Sequence, residues 1–195
     1  MPNLLKLQIE NTIKQSLSSE QFEALLKLTF VKSYDKKDFL VEEGRSNNYI
    51  YFILKGSCYS YIEKDNGAKS VVQFALEGNW ISDLCSFFSS GKAIYNVVAL
   101  ESTEVLAISR ENFEAVCDTI LSLNKYFRII VQNAYITAQL RIAKTNITEA
   151  DERYSAFSQQ YPEFVQRIPQ YLIAYYLGVK PQSLSRARKP KAQKK

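Results

Sequence analysis

The sequence predicts a chain of class α+β, in which an all-β sandwich or barrel is followed by a long helix and a helix-turn-helix. Three observations carry this reading. Between residues 31 and 109 the apolar stretches are short, aromatic and β-branched, with glycines or polar turn clusters between them. From residue 110 the apolar spacing changes to threes and fours, the period of a helix. Residues 170–189, QYLIAYYLGVKPQSLSRARK, set small, turn and apolar residues where two crossing helices need them.

The length of 195 residues allows one large domain or two small ones. The absence of histidine excludes His-ligated zinc, the two-His-one-carboxylate iron site, Ser-His-Asp and Cys-His nucleophiles, and His-bound haem. A cupin-like metalloenzyme falls by the same test, so no catalytic residue and no metal ligand is assigned. Cys58, Cys85 and Cys117 form no C-x-x-C pair and read as small hydrophobes in a reducing compartment. Met1–Glu10 lacks the layout of a signal peptide. The longest apolar run, Tyr171–Leu177, is far shorter than the ~20 residues of a membrane span. A cytoplasmic protein that is not an enzyme and has no membrane partner is expected.

In order along the chain, residues 1–30 read as helical: Ser18-x-x-Gln21 is a capping box, and Phe22, Leu25, Leu26 and Thr29 share one face. Strands are expected at Phe39–Val41, Tyr49–Leu54, Ser57–Ile62, Ser70–Phe74, Ile94–Leu100 and Glu104–Ile108, with a tight hairpin at Asp65-Asn66-Gly67. Phe113, Val116, Cys117 and Ile120 then form a helical face. Leu123, Phe127, Ile130, Ala134 and Thr137 continue at the 3.5-residue average of a coiled-coil seam. That seam suits a dimer, and equally a helix packed on its own β-domain. Thr148-x-x-Asp151 marks another helix start, running to about Tyr161 before Pro162.

In the C-terminal motif Ala174 is the small residue at the crossing and Gly178 the left-handed turn. Ile173 and Leu177 supply the inner face of the first helix, Val179 plugs the turn, and Leu184 and Ala187 face inward from the second helix. Pro181 suits a first helical turn. The outward positions are Gln182, Ser183, Ser185, Arg186, Arg188 and Lys189, rich in hydrogen-bond donors and free of carboxylates. No acidic residue follows Glu163, while eight basic residues do, and residues 1–163 carry a net charge of −3. A near-neutral body with a basic end is the footprint of a nucleic-acid-binding module. An ordinary αα-hairpin and a solubilising tail are the blander readings.

The segments Phe39-Leu40-Val41-Glu42-Glu43-Gly44 and Ile50-Tyr51-Phe52-Ile53-Leu54-Lys55-Gly56 resemble the cyclic-nucleotide-binding β-roll, and Gly78-Asn79-Trp80-Ile81 and Ala99–Leu106 continue the likeness. With the long helix and the helix-turn-helix, the whole chain resembles the Crp/Fnr family of bacterial transcription regulators. Ile168–Ala174 with Leu184-Ser185-Arg186 is similar to the short members common in Bacteroidetes-type bacteria. The resemblance implies a double-stranded, jelly-roll-like β-roll sensor domain at 1–110, a dimerisation helix at 111–145 and a helix-turn-helix DNA-binding domain at 146–195. It also implies double-stranded DNA, a second copy of the chain and RNA polymerase as partners.

Several positions depart from the family pattern. The Gly-Glu pair that meets a ribose hydroxyl falls on Ser82-Asp83, and the Arg-Ser/Thr-Ala run that holds the cyclic phosphate falls on Ala93-Ile94-Tyr95. Asp83 is one methylene short but able to reach a hydroxyl, and Lys92 is one register away. A cyclic phosphate here would lack its countercharge, so ordinary cyclic AMP binding is not expected. No cofactor is assigned and the effector is unidentified; no N-terminal cysteine cluster is present for an iron–sulfur centre. The base-reading trio Arg, Glu, Arg falls on Pro181, Gln182 and Arg186, of which the last is kept, and Ser183 matches a phosphate-contacting hydroxyl. Lys180, Gln182, Ser183, Ser185, Arg186, Arg188 and Lys189 are the expected DNA contacts. Pro190–Lys195 is too short for a β-wing, so a domain that is wingless or relies on this Lys-rich tail is expected. The alternative is a ligand- or protein-binding β-roll module whose helix-turn-helix has lost DNA binding.

Overall fold

The computed structural model describes residues 2–63 and 67–187. They divide into two compact units, one of residues 2–62 and 73–134, the other of residues 63, 67–72 and 135–187.

The first unit opens with α1 (Pro2–Ile13) and α2 (Ser19–Lys27). The Ser18 side chain accepts from Gln21 N while the Gln21 side chain accepts from Ser18 N, so the predicted capping box is formed. The strands are β1 (Thr29–Tyr34), β2 (Phe39–Val41), β3 (Tyr49–Lys55), β4 (Cys58–Glu63), β5 (Lys69–Ala75), β6 (Trp80–Ile81), β7 (Asn96–Ala99) and β8 (Thr103–Ser109), with the short helix α3 (Leu84–Ser89) before β7. They form two four-stranded sheets, ordered β1-β8-β3-β6 and β2-β7-β4-β5. In the first, β8 runs antiparallel to both β1 (Thr29↔Ile108 to Tyr34↔Thr103) and β3 (Tyr49↔Ser109 to Lys55↔Glu104). In the second, β7 runs antiparallel to β2 and β4. Such non-sequential order across two sheets is a β-roll.

The run Ile50–Ile53 is apolar throughout because both faces of its sheet are covered. Tyr51 and Ile53 point into a core shared with Val97, Ala99, Val105 and Ala107, while Ile50 and Phe52 meet Leu5, Ile9 and Leu25 of the N-terminal helices. Six of the eight strands fall where the sequence predicts them. β1 lies partly in a stretch read as helical; it is an edge strand with an exposed middle and shows no alternation. The two-residue β6 and six-residue α3 are too short to carry a period. Asp65 and Asn66 of the predicted hairpin lie outside the described residues; Gly67 has φ +76.

The predicted continuous helical region is two helices, α4 (Arg110–Thr119) and α5 (Leu121–Ile147), broken at Ile120 with φ −124 and ψ 94. Leu123 and Phe127, the start of the predicted coiled-coil seam, are buried in the core of the first unit with Tyr126. Trp80 packs there against Phe52 and Phe127 and donates to the Tyr126 hydroxyl at 2.9 Å.

The second unit contains the rest of α5, then α6 (Ala150–Gln160), α7 (Pro162–Arg167), α8 (Gln170–Tyr176) and α9 (Pro181–Ala187). The start of α6 differs from the Thr148 cap: Glu149 stands at the cap without a side-chain bond, and the Thr148 carbonyl accepts from Arg153. Asp151 and Glu152 in the first turn complement the helix dipole instead. Pro162 ends one helix and starts the next, as its missing N–H allows at a first helical position. Phe157, Ile168, Leu172, Ile173, Ala174, Leu177 and Leu184 are buried.

Candidate effector pocket and nucleic-acid interface

Each sequence-predicted effector residue lies on the stretch from β6 to β7. Asp83 is fully buried and caps α3: its Oδ1 accepts from Cys85 N at 3.0 Å and Ser86 N at 3.3 Å. Its Oδ2 accepts from Ile94 N at 2.6 Å and Tyr95 N at 3.2 Å. A carboxylate has about four acceptor sites, and all are engaged. The backbone N–H groups around this point form an anion-binding nest, and the anion in it is the chain's own. No acceptor is left for the ribose hydroxyl offered to Asp83 by the sequence pattern.

Ser82 is buried beside it, donating to Tyr49 O at 2.7 Å and accepting from Asn47 Nδ2 at 2.9 Å. Ala93 points its methyl into the core between the sheets, while its backbone pairs with Gly44 N and Arg45 O. Lys92 and Ile94 are exposed, and Tyr95 is half-buried. Inside the roll the rings of Tyr34 and Tyr51 meet edge-on at 6.2 Å, and the Tyr51 hydroxyl donates to Leu40 O. Burial pushes the Tyr51 phenol well above its usual range, so it remains neutral.

Sequence reasoning missed Asn47, Ser86 and Arg110. Buried Asn47 bonds Ser82 Oγ, Asp83 O and Ser86 Oγ. Arg110 donates to Asn47 O at 3.0 Å and Ser86 O at 3.2 Å, with its guanidinium 5.7 Å from the Phe87 ring centre. Together they pin α3 to the start of β3 and the end of β8. The only sequence signal was the turn cluster around Asn47, whose partners lie 35 to 39 residues away.

The helix-turn-helix is built as its spacing requires. Gly178 has φ +68, a left-handed conformation that disfavours side chains. Val179 N donates to Ala174 O at 2.9 Å, closing the turn over a fully buried Ala174. Lys180 O accepts from Ser183 and Leu184, starting α9, and Leu184 is buried against the rest of the unit. Lys180, Gln182 and Ser185 are exposed and Ser183 is half-buried. Arg186 lies on α9; its side chain, with Arg188 and Lys189, lies outside the described residues.

A β-roll domain joined to a helix-turn-helix unit defines the class of protein. Residues 31–120 match the cyclic nucleotide-binding domain family. A curated relative, the transcriptional regulatory protein Btr of Bordetella pertussis, is 28% identical over 148 residues, covering 70% of this chain and 60% of that protein. The structure of FixK2 from Bradyrhizobium japonicum matches with a TM-score of 0.70 at 20% identity, covering 82% of each chain. A Crp/Fnr-family transcription regulator from Eubacterium rectale matches with a TM-score of 0.66 at 14% identity, covering 88% of this chain and 82% of that one. Residues 31–120 thus carry the match to the cyclic nucleotide-binding domain family, and the chain shares the fold of these solved structures. No helix among the described residues is long and apolar enough to cross a membrane.

Proposed function

We propose that this chain is a homodimeric transcription regulator that binds duplex DNA through α9, and that its β-roll does not take a cyclic nucleotide in the family's usual way. The observation that carries the first part is the turn at Gly178, which presents Lys180, Gln182 and Ser185 to solvent on a segment without carboxylates. Glutamine bonds adenine edges and lysine holds phosphates. The second part rests on Asp83, whose carboxylate occupies the N–H groups of Ile94 and Tyr95 where an incoming anion would need them.

The homodimer is supported by α5. Residues 131–140 are all exposed, yet include Val131, Tyr135, Ile136 and Leu140. Val131, Tyr135, Ala138 and Ile142 recur at four, three and four, a seam on a different face from Leu123 and Phe127. A second copy covering this seam would set two recognition helices ~34 Å apart on a two-fold site. At a promoter RNA polymerase is the further partner, and no catalysis is involved.

The test is fluorescence anisotropy of the full chain on random duplex at low salt, followed by selection from a random duplex pool. Binding and enrichment of a two-fold sequence are expected. Absence of binding to any duplex overturns the proposal and leaves a ligand- or protein-binding module.

A further inference from the structure

We infer that a cleft within the second unit is a binding site for a small uncharged aromatic molecule that carries an N–H donor. The cleft has a volume of about 280 Å³ and lies between the C-terminal half of α5, the length of α6 and the end of α8. It is separate from the β-roll stretch described above, and the inference stands whether or not α9 reads DNA. Its α5 residues, Thr137, Leu140 and Arg141, are not those of the seam of Val131, Tyr135, Ala138 and Ile142, so cleft and seam share no residue.

The walls suit a flat ring. The Phe157 ring centre lies 5.4 Å from both Tyr161 and Tyr176, forming a corner against which a further ring can stack. Phe157 and Leu177 are buried, and the exposed Leu140 lines the cleft from α5. The room is nearly twice the ~150 Å³ of an apolar cavity that takes benzene, enough for two fused rings.

The charges on the walls disfavour an ion of either sign. The Arg141 guanidinium donates to Val71 O at 3.3 Å and Val72 O at 2.8 Å and stands 4.8 Å from the Tyr176 ring centre, so it is committed within the chain. Arg153 donates to Thr148 O. Neither guanidinium is held open for a ligand carboxylate, yet both still repel a cation. Burial raises the pKa of the Tyr176 phenol, which therefore stays neutral. Glu152 also lines the cleft; it is exposed, and its carboxylate has no hydrogen bond or ion pair with another described residue. That carboxylate repels an anion and is a free acceptor for a charge-assisted hydrogen bond from a neutral N–H. A ligand with its rings on Phe157 and its N–H towards Glu152 uses both features.

Calorimetry of the full chain with indole, without DNA, tests this. Saturable binding is expected, with 1-methylindole, which has the rings but no N–H, about tenfold or more weaker. Indole-3-acetate and tryptamine, which add a negative and a positive charge to the same rings, should each bind more weakly than indole. Ala156 is exposed on α6, so Ala156→Phe fills the cleft without disturbing a packed core and should abolish binding with unchanged circular dichroism. Thr137→Phe, from the exposed surface of α5, makes the same block should Ala156→Phe fail to fold. Glu152→Ala should bring the affinities for indole and 1-methylindole to within about twofold of each other, which a merely structural role for Glu152 would not do. The inference is overturned by no saturable binding of indole, by equal affinity for 1-methylindole, by tighter binding of either charged analogue, or by unchanged affinity in a folded blocking variant.

Discussion

Replacing Asp83 with alanine should destabilise the first unit by roughly 3–9 kcal/mol. The substitution removes one buried acceptor from four backbone N–H groups. Cys85 and Ile94 are exposed, so water can take over there, at roughly 0.5–1.5 kcal/mol each. Ser86 is buried and Tyr95 half-buried; leaving their N–H groups without a partner costs roughly 1–3 kcal/mol each. The helix-cap contribution is contained in these figures, since the Cys85 and Ser86 bonds are the cap. At about 2–4 °C per kcal/mol for a chain of this size, the melting temperature should fall by about 6 °C or more. Trp80 is the only tryptophan and packs in the core of the first unit, so its fluorescence reports on that unit alone. Asp83→Asn keeps one acceptor oxygen and should lose about half as much. A loss below about 1 kcal/mol for Asp83→Ala would refute the reasoning. The carboxylate would then not be committed to these N–H groups and would be free for a ligand.

Sedimentation of the full chain should give about twice 22.4 kDa, and Tyr135→Glu or Ile142→Asp should shift it towards the single-chain mass without lowering the Trp80 melting temperature. Calorimetry should detect no micromolar affinity for cyclic AMP or cyclic GMP. The double variant Asp83→Glu with Ala93→Arg should gain measurable affinity, and neither single variant should. Arg186→Ala should weaken a selected operator far more than random duplex, by roughly 1–3 kcal/mol of discrimination. Lys189→Ala should weaken all sequences alike and reduce the salt slope by about one phosphate's worth; equal losses on both duplexes for Arg186→Ala would make it a phosphate clamp. Exposed Cys85 should react first with a thiol reagent. Cys58 and Cys117, whose thiols burial pushes up to about 12 and about 11, should lag until the chain unfolds.

What could be read from the sequence was what is local. The helix-turn-helix lies within twenty residues, and Ala174, Gly178 and Leu184 each sit as their spacing implies. The longer strands were legible because β-branched and aromatic runs end at glycines. The face of α5 was only half legible: the period of Leu123 and Phe127 is a correct apolar face, but a period does not say what covers it. Here the cover is Phe52, Phe113 and Trp80 of the same unit. The second seam, from Val131, was hidden by Tyr135 and Ala138, which do not stand out among the neighbouring residues. The commitment of Asp83 was illegible because its partners are backbone N–H groups eleven and twelve residues on, at Ile94 and Tyr95. No residue type there announces a donor.

The two departures from the nucleotide pattern depend on each other. An arginine at position 93 would project into the apolar core where the Ala93 methyl now lies among the residues between the sheets. Without an anion beside it, that charge would be buried unpaired, at a penalty of several kcal/mol. A cyclic phosphate would supply the anion, but the nest that would share it is closed by Asp83. The shorter carboxylate turns back onto its own helix N-terminus, and from there onto the N–H groups of the following strand. A glutamate would carry its oxygens one methylene further, beyond that arrangement. Alanine at 93 and aspartate at 83 therefore make a self-consistent apolar and hydrogen-bonded closure, in which the carboxylate is already engaged by the chain's own N–H groups. Asn47 and Arg110 bond the backbone on either side of that closure and hold α3 in place. The N–H groups of Ile94 and Tyr95 are held in this chain by a carboxylate of its own.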